Sequence, residues 1–428
     1  MLKVVKDGAD GQAEGLSLGL DDLAREGARQ MLIAALDAEV AAYLERHRGV
    51  RDDQGHALVV RNGKAQARQV TMGSGTVEIT APRVNDRRTD AEGNRQRFTS
   101  AILPPYMRRS PKVAEVLPIL YLRGLSTGDF QEALKTLLGD EAAGLSPSNI
   151  SKLLSGWVDE YQRFRMRDLS DRDYVYIWAD GVHLNIRLED DRLCTLVILG
   201  ARPDGTKELI AVEDGFRESA ESWRAVLRDL KRRGMRAPEL AIGDGSLGFW
   251  AAVRDVWPET REQRDWVHRM GNVLDKLPKR LQPKAKAALQ NIMKAESRES
   301  AEKDIKAFVE EYGARYPKAV ATLTRDQDKL LTYFDFPAEH WIHIRTSNPI
   351  ESAFATVRLR QRITKGAGSR QRGLTMVFKL LEMAQLRWRK LNGAELLPLV
   401  RAGVVFRNGV RVERADQMES GQVAEDAA

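Results

Sequence analysis

The spacing of hydrophobic residues divides the chain into helical and strand-forming regions. Apolar residues recur every three or four positions over residues 20–48, which predicts a long helix. Short runs with β-branched residues at 70–72 and 76–80 lie on either side of a glycine turn and predict a small β-hairpin. Residues 111–161 return to helical spacing, with a glycine-containing break at 139–145 between two short helices.

From residue 174 onward, strands alternate with helices. Strands are predicted at residues 174–180, 193–202, 207–214, 239–244 and 263–267, and helices at 219–232 and 247–256. The turn Pro203-Asp-Gly-Thr206 joins the second and third strands into an antiparallel hairpin. This order of elements is that of the ribonuclease-H-like fold, in which the first strand is central and lies beside the fourth.

The remaining C-terminal part is predicted to be helical. Alanine-rich stretches and Lys/Glu pairs over residues 274–335 predict an all-helical insertion between the fifth strand and the next helix. Helices at 349–361 and 373–391 are predicted to close the fold. Residues after about 411 are polar and predict a frayed tail.

Composition narrows the class of protein. The chain has 428 residues, 43% of them hydrophobic, which is enough for two or three domains with ordinary cores. Its net charge of +7 and pI of about 9.3 are consistent with a polyanionic partner. A single cysteine, Cys194, excludes an internal disulfide framework and a cysteine zinc site. With no apolar stretch long enough for a membrane span and no signal-peptide pattern, a cytoplasmic location is predicted.

Three acidic residues are the strongest candidates for chemistry. Asp180 and Asp244 each end a hydrophobic run, and Glu351 lies just inside a predicted helix start with Asn348 as the N-cap. Each has a plain alternative, because a strand-end aspartate serves turns and a glutamate at this position completes a capping box. The predicted strand order, however, brings the three together, which neither a turn nor a cap requires. Three carboxylates suit Mg²⁺, and paired Mg²⁺ suits phosphodiester chemistry.

Two further polar residues lie just after the fifth predicted strand. Asp265 and His268 follow that strand closely, near the predicted acidic site. A lone histidine is usually structural, and Asp265 is not assigned as a catalytic acid merely because it is acidic. His340 and His343 flank a tryptophan and are predicted to serve packing or DNA contact, since no third soft ligand lies nearby.

Basic residues mark possible phosphate-binding surfaces. The stretch 345–390 is strongly basic and contains only two acids, Glu351 and Glu382, which favours a phosphate-facing surface that includes Arg358, Lys365 and Arg370. A second group of arginines surrounds the predicted hairpin near residue 75. That ribbon can follow a phosphate backbone, although a merely solvated hairpin is an equal alternative.

Residues 111–161 are predicted to hold helices at 113–121 and 130–138 and a last helix, capped at 146–149, that runs through residue 157. Two short helices joined by a glycine turn resemble a helix-turn-helix. The exposed face of the last one offers Ser148, Asn149, Ser151 and Lys152, which suit phosphates or base edges. Short helical hairpins are common, so this pattern does not establish DNA binding by itself.

Over about residues 20–391 the chain resembles the IS256 family of bacterial transposases, which is related to the eukaryotic Mutator transposases. Asn348, Glu351 and Arg358 match a family signature of asparagine, two residues, glutamate, six residues and arginine. The other matching motifs are Arg61-Asn-Gly, Pro82-Arg83, Leu120-Tyr-Leu-Arg-Gly-Leu-Ser-Thr127, Ala179-Asp180-Gly181-Val-His-Leu-Asn-Ile-Arg187, Ala241-Ile-Gly-Asp244-Gly245 and Gln263-Arg-Asp265-Trp-Val-His268. Similar chains often carry cysteine where Asp265 stands, and aspartate is an accepted variant.

The resemblance implies a DDE transposase. Its catalytic and metal-binding triad would be Asp180, Asp244 and Glu351, with two Mg²⁺ (or Mn²⁺) ions per site. It implies binding to terminal inverted repeats, 3′-end cleavage and strand transfer into target DNA, with an excised circular intermediate. Synapsis of two ends implies a homodimer or higher oligomer. The expected location is the bacterial cytoplasm, in association with the nucleoid. Supporting or DNA-binding roles are predicted for Asp265, His268, Asn348, Arg358, Arg187, Lys365, Arg370, Ser148, Asn149 and Lys152.

The predicted fold class is an α/β ribonuclease-H-like catalytic core with an all-α insertion before the Glu-bearing helix, preceded by mainly α DNA-binding domains with a small β element. The segments are an N-terminal helical part for dimerisation or DNA binding (1–55), a basic β-hairpin region (56–104), a helix-turn-helix-like domain (105–165), the first part of the core (170–273), the insertion (274–337), the C-terminal core helices (338–400) and a tail (401–428).

Two other functions remain compatible with the residues. One is a ribonuclease-H-like nuclease or junction resolvase without strand transfer, which would not need the N-terminal elements for end recognition. The other is a DNA-binding protein that has lost catalysis. The presence of all three acids argues against the second of these alternatives.

Overall fold

The computed structural model describes residues 19–113, 115, 116, 120, 147–186, 193–215, 219–245, 247–364, 367 and 369–413, and for residues 147–154, 247, 363 and 364 only the backbone. The chain forms two compact units, residues 1–154 and 155–428. Most of the predicted helix-turn-helix lies outside the described residues, as do Arg187, Lys365 and the tail beyond residue 413. Within the described part, no helix is both long enough and apolar enough to cross a bilayer.

A long helix and two small sheets make up the described part of the first unit. Helix α1 (Leu20–Arg46) confirms the predicted N-terminal helix. Strands β2 (Arg68–Met72) and β3 (Gly75–Ile79) pair antiparallel and confirm the predicted hairpin. Strands β1 (Val59–Lys64) and β4 (Pro82–Asp86) form a second pair that the sequence did not predict. In β1 only its first residue is buried, so the strand lacks the alternation that marks a half-buried strand.

The apolar stripe of α1 packs on these sheets within its own unit. Leu36 joins Val70, Val77, Ile79 and Leu103 in one buried cluster. The first turns of the helix remain exposed at Leu20, Leu23 and Met31. The stripe is therefore buried over its middle by the chain itself.

A buried carboxylate joins α1 to β4. Asp86 accepts hydrogen bonds from the Tyr43 hydroxyl (2.6 Å) and from Nε (2.9 Å) and Nη2 (2.7 Å) of Arg88. Arg88 also donates to the Tyr43 hydroxyl at 2.8 Å, which closes a three-membered network. The hydrogen bonds from the Arg88 guanidinium lower the pKa of Asp86 well below its ordinary value.

We expect Asp86→Asn to destabilise the first unit by about 2 kcal/mol, because the amide cannot accept both guanidinium hydrogen bonds. Since the folded-state pKa is lowered, the carboxylate contributes stability above its unfolded pKa, and this contribution is lost as the pH falls below about 4. Hydrogen exchange in Leu20–Arg46 at pH 7 and pH 3 measures this unit separately. The half-buried turn residue Asp90, whose carboxylate accepts from Glu92 and Asn94 in its own turn, is the control. An equal effect of Asp90→Asn would contradict the prediction.

The second unit is built on a five-stranded sheet in the order β7-β6-β5-β8-β9. Its strands are β5 (Tyr176–Leu184), β6 (Leu193–Ala201), β7 (Lys207–Gly215), β8 (Leu240–Gly243) and β9 (Arg261–Arg264). Strands β5, β6 and β7 pair antiparallel, whereas β8 and β9 run parallel to β5. The central position of the first strand beside the fourth is as predicted.

Two strand ends differ from the prediction by three residues or more. Strand β5 runs four residues past Asp180, because the antiparallel partner β6 pairs with it as far as Leu184. Pairing with the parallel partner β8 ends at Ala179 and Gly243, so Asp180 lies at the end of the parallel pairing and inside the antiparallel one. Strand β9 ends at Arg264, earlier than predicted, and His268 therefore lies in the following helix.

Helices cover both faces of the sheet. Helices α3 (Ala220–Arg232) and α4 (Leu247–Val256) pack on the face that carries Ile177 and Ala179. Because strand side chains alternate, Tyr176 and Trp178 lie on the opposite face. There the Tyr176 hydroxyl hydrogen-bonds His340 (2.7 Å), and Trp178 Nε1 donates to the carbonyl oxygen of His343 (3.0 Å).

Helices alone fill the segment predicted as an insertion, and no strand lies within residues 274–335, all of which are described. The helices around and after β9 are α5 (Trp266–Leu274), α6 (Gln282–Met293), α7 (Arg298–Tyr312), α8 (Pro317–Thr324) and α9 (Gln327–Leu330), followed by a 3₁₀ turn at Thr332–Asp335. A further helix, α2 (Pro147–Met166), precedes the sheet.

The C-terminal elements return to the sheet. After a 3₁₀ turn (Ala338–His340), they are α10 (Trp341–Ile344), α11 (Asn348–Thr364), α12 (Arg370–Gln385), a second 3₁₀ turn (Ala394–Leu396), α13 (Leu397–Arg401), β10 (Phe406–Arg407) and β11 (Val410–Arg411). Helix α11 packs on β5, and α12 packs on β6 and β7. The described beginning of the predicted tail, up to residue 413, is folded, and Arg401 forms ion pairs with Asp173 and Glu239.

Candidate active site at the carboxyl edge of the parallel strands

Three aspartates follow equivalent positions on three adjacent parallel strands. Ala179 is in register with Gly243, and Gly243 is in register with Arg264. The next residues on the three strands are Asp180, Asp244 and Asp265. The amide of Asp265 still donates to the carbonyl of Gly243 at 3.0 Å, so the alignment continues to this row. Neighbouring strands lie about 4.8 Å apart, which places Asp180 next to Asp244.

Asp180 and Asp244 have similar local geometry. Each is half-buried, and in each one carboxylate oxygen accepts a hydrogen bond from the next backbone amide, at 2.7 Å from Gly181 and 2.5 Å from Gly245. The carbonyl of Asp244 also accepts from Trp250 Nε1 at 2.7 Å, which holds the turn after β8. By alternation along β5, the side chain of Asp180 lies on the same face as Tyr176 and Trp178, the face against which α11 packs.

Glu351 lies in the first turn of α11. Its backbone amide donates to the carbonyl of Ser347 (3.0 Å), and its Oε1 lies 2.9 Å from Ser347 Oγ. Ser347 therefore holds the N-cap position that the sequence assigned to Asn348, which is exposed and forms the first residue of the helix. The reason is that the Ser347 carbonyl accepts from the Glu351 amide, while Asp265 holds the Ser347 amide from the other side.

Asp265 connects the edge of the sheet to the start of α11. Its Oδ1 accepts from the amides of Val267 (2.5 Å) and His268 (3.1 Å), which caps α5. Its Oδ2 accepts from the amide of Ser347 (2.6 Å) and from the Ser347 hydroxyl. Burial favours a raised pKa for Asp265, but the hydrogen bonds from His268 and Ser347 outweigh it and lower that pKa. Asp265 is thus an ionised anchor whose two oxygens are already hydrogen-bonded.

His268 lies between two carboxylates. Its Nδ1 is 3.3 Å from Asp265 Oδ2 and 3.4 Å from Glu351 Oε1. The Asp265 carboxylate raises the pKa of His268 to about 9 against the opposing effect of burial, and the charges of Asp244 and Glu351 add to the increase. Asp265, His268 and Glu351 offer ligand atoms within 4.8 Å of one another. Both oxygens of Asp265 are already hydrogen-bonded, and His268 lies within ion-pair distance of both carboxylates, so these three residues form an ion-pair cluster.

The carboxylates of Asp180, Asp244 and Glu351 suit a hard divalent cation. All three are oxygen donors, and all three are half-buried and reachable from solvent. The two aspartates follow paired strands. His268 contacts Glu351, and the charge of Asp244 contributes to its raised pKa. This set of three carboxylates fits Mg²⁺ or Mn²⁺ better than zinc, since it contains neither sulfur nor imidazole.

The other predicted site residues are spread over the second unit. Arg358 is exposed on α11, with its guanidinium 5.8 Å from the ring centroid of Phe354. Arg370 begins α12 and pairs with Asp214 at 2.8 Å. Ser148, Asn149 and Lys152 belong to α2, but their side chains lie outside the description, as do Arg187 and Lys365 altogether.

Part of the basic stretch 345–390 is neutralised by acids elsewhere in the unit. Lys379 forms ion pairs with Glu160 and Glu382, and Arg360 is buried. Arg358, Arg362 and Arg372 remain exposed. The charge run along the sequence therefore overstates the unpaired positive charge of this stretch, because it does not reveal acids such as Glu160 that fold against it.

Two residues of the site were missed at the sequence level. Ser347 contacts both Asp265 and Glu351, and Arg264 ends β9 beside Asp244. Ser347 carries a local signal, since a serine two residues before a helical proline is a typical cap. Arg264 carries none, because its burial depends on residues from other elements. His340 serves packing, as predicted, with hydrogen bonds to Tyr176 and to the Gly393 carbonyl.

Comparison with known proteins gives consistent matches. Residues 3–390 match the family described as "Transposase, Mutator family". The transposase for insertion sequence element IS6120 of Mycolicibacterium smegmatis is 57% identical over 302 residues, 71% of this chain and 93% of that protein. The transposase for insertion sequence element IS256 in transposon Tn4001 of Staphylococcus aureus is 26% identical over 314 residues, 71% of this chain and 76% of that protein. Among solved structures, the Drosophila P element transposase strand transfer complex covers 74% of this chain and 87% of that one, with 12% identity and a TM-score of 0.28.

Proposed function

This chain belongs to the Mutator family of transposases, and on that premise we propose that it is a DDE transposase. It binds the terminal inverted repeats of an insertion sequence, cuts the 3′ ends in a metal-dependent reaction and transfers them to target DNA. The observation that carries the proposal is the adjacency of Asp180 and Asp244 at one sheet edge, with Glu351 tied to the same edge through Ser347 and Asp265.

The sheet is proposed to be a ribonuclease-H-like core. The order β7-β6-β5-β8-β9, with three antiparallel strands followed by two parallel ones, supports this assignment. The helices of residues 274–335 lie between the fifth strand and the Glu-bearing helix, which supports their assignment as an insertion in that core.

Asp180, Asp244 and Glu351 would hold two Mg²⁺ or Mn²⁺ ions. When bound, such ions activate a water or a 3′-hydroxyl and neutralise charge on the reacting phosphate. The chain itself contributes orientation. The amides of Gly181 and Gly245 each hold one oxygen of the neighbouring aspartate, and Ser347 with His268 holds Oε1 of Glu351. Preset carboxylates lose less entropy when they bind their cations and substrate.

DNA is the proposed partner, both as transposon ends and as target. The basic charge of the chain, and exposed arginines such as Arg358 near Glu351, support phosphate contact. Asn348, Lys365, Arg370, Arg187, Ser148, Asn149 and Lys152 remain proposed DNA-binding or supporting residues. A homodimer or higher oligomer that joins two ends, a circular intermediate, and action at the nucleoid in the cytoplasm belong to the same proposal.

An in vitro joining assay tests this function. The terminal inverted repeat is first identified in the DNA that flanks the reading frame. A pre-cleaved duplex with this repeat is then incubated with supercoiled plasmid, purified protein and Mg²⁺. We expect plasmid products joined to the 3′ end of the duplex, and none with a scrambled repeat or in EDTA. Cutting of the uncleaved end without any joining would favour a nuclease or resolvase, and binding without either reaction would favour a DNA-binding protein without catalysis.

A further inference from the structure

A cavity of about 440 Å³ adjoins Asp244 on the side away from Asp180. It lies between the end of β9, helix α5 and the loop after α8. Its walls include Asp244, Arg264, Arg269, Asn272, Arg325 and Asp326. The reaction proposed above assigns no role to this space, although it opens directly beside one of the three candidate catalytic carboxylates.

Arg264 is the unusual member of this wall. Its side chain is 4% exposed, yet among the described residues no acceptor forms a hydrogen bond with its Nε or Nη1. One face of the guanidinium is covered by Trp250, whose ring centroid lies 4.0 Å away. Its third nitrogen, Nη2, lies 3.2 Å from Glu262 and 3.8 Å from Asp326. Two buried N–H groups without acceptors are costly, so they indicate a place prepared for an acceptor.

The surrounding groups keep this place rigid. Arg269 donates from Nη1 to the carbonyls of Thr322 (2.6 Å) and Arg325 (2.7 Å), which attaches the loop after α8 to α5. Burial lowers the pKa of Arg264 to about 10, so the guanidinium is still charged at neutral pH. The two unpaired donors, which are themselves buried, therefore belong to a fixed cation in the wall of the cavity.

We propose that this cavity holds the nucleotide next to the bond that is cut, with its phosphate drawn to the guanidinium of Arg264. The inference rests on the proposed function, because it takes DNA as the substrate that reaches Asp244. A guanidinium prefers the oxygens of phosphate, and the volume exceeds that of a phosphate alone and admits part of its nucleoside.

Neutral-linkage scanning tests the proposal. End duplexes are prepared in which one phosphate at a time, on both sides of the cutting position, is replaced by an uncharged methylphosphonate. Binding is measured by fluorescence anisotropy in Ca²⁺ for the wild-type protein, Arg264→Met and Arg254→Met. Arg254 is the matched control because it also pairs with Glu262, at 2.7 Å, but does not line the cavity.

We expect one linkage beside the cutting position at which the neutral group weakens wild-type binding about tenfold. At that linkage Arg264→Met should bind the charged and neutral duplexes equally. The salt dependence of its binding to the unmodified duplex should indicate about one phosphate contact fewer than that of the wild type. Arg254→Met should retain the wild-type pattern. Arg264→Lys, which keeps the charge without the planar fork, should give an intermediate loss and serves if Arg264→Met does not fold.

The outcomes separate this inference from the proposed function. If the wild-type protein binds and cuts the unmodified duplex, but every linkage has the same effect in wild type and Arg264→Met, the cavity proposal is overturned and the transposase proposal stands. If the wild-type protein neither binds nor cuts the end duplex, the proposed function fails and the cavity proposal fails with it.

Discussion

Asp244→Asn is expected to lower DNA cutting and joining at least about a thousandfold while the protein stays folded and still binds DNA. A cation ligand that acts mainly in the transition state is worth several kcal/mol, and about 4 kcal/mol corresponds to three powers of ten in rate. Asparagine keeps the shape of the side chain and the acceptor for the Gly245 amide, so the turn after β8 should survive. The substitution removes only the negative charge.

The measurement compares single-turnover cutting of an end duplex in Mg²⁺ with binding of the same duplex in Ca²⁺. Asp204→Asn is the matched control, since Asp204 is an exposed turn aspartate whose Oδ1 accepts from a nearby amide, that of Thr206, at 3.0 Å. The control should cut at the wild-type rate. Equal rates for both variants would show that Asp244 is only a turn residue and would end the assignment of the site.

Asp265→Asn is expected to destabilise the second unit by about 3 kcal/mol and to reduce cutting further than the loss of folded protein explains. The carboxylate is buried and accepts four hydrogen bonds, two from α5 and two from Ser347. An amide nitrogen in place of Oδ2 would face the Ser347 amide and leave that buried N–H without an acceptor, while the Ser347 hydroxyl still has Glu351 as an acceptor. Because Ser347 also contacts Glu351, the same change loosens a candidate catalytic side chain.

The free energy of unfolding is measured on the full chain by denaturant titration. Hydrogen exchange in Trp266–Leu274 and Asn348–Thr364 reports the second unit in this titration. The N-cap variant Ser297→Ala, which removes one hydrogen bond to Ser300 in α7, is the control and should cost about 1 kcal/mol. Since hydrogen bonds lower the folded pKa of Asp265, its contribution is present above its unfolded pKa and is lost as the pH falls below about 4. A variant with wild-type stability and cutting would contradict the anchoring role.

Much of the second unit could be predicted from local patterns. The continuous apolar run of β6 and the turn after it predicted the hairpin with β7, and Ser219 caps α3 as the helix start implied. The motifs around Asp180, Asp244 and Glu351 indicated the IS256 and Mutator transposases, and that resemblance is confirmed by the match over residues 3–390. Such features depend on residues close together in the sequence.

Other features could not be predicted in this way. The sequence showed Asp180 at the end of an apolar run, but the strand continues because β6 supplies a partner beyond that point. It showed Asn348 as a cap, but Ser347 takes this position because Asp265, 82 residues earlier, accepts both its amide and its hydroxyl. Each outcome depends on a partner from a distant segment.

The sequence by itself determined the order of strands and helices in the second unit and pointed to Asp180, Asp244 and Glu351, because hydrophobic period, caps and turns are local properties of the chain. The tertiary structure alone decided that Asp265 is an anchor, that His268 lies between two carboxylates, and that Arg264 is buried with two donors that lack an acceptor. The physical reason is that burial, hydrogen bonding and charge at these side chains are set by atoms from several elements, which meet only when the sheet and its helices assemble.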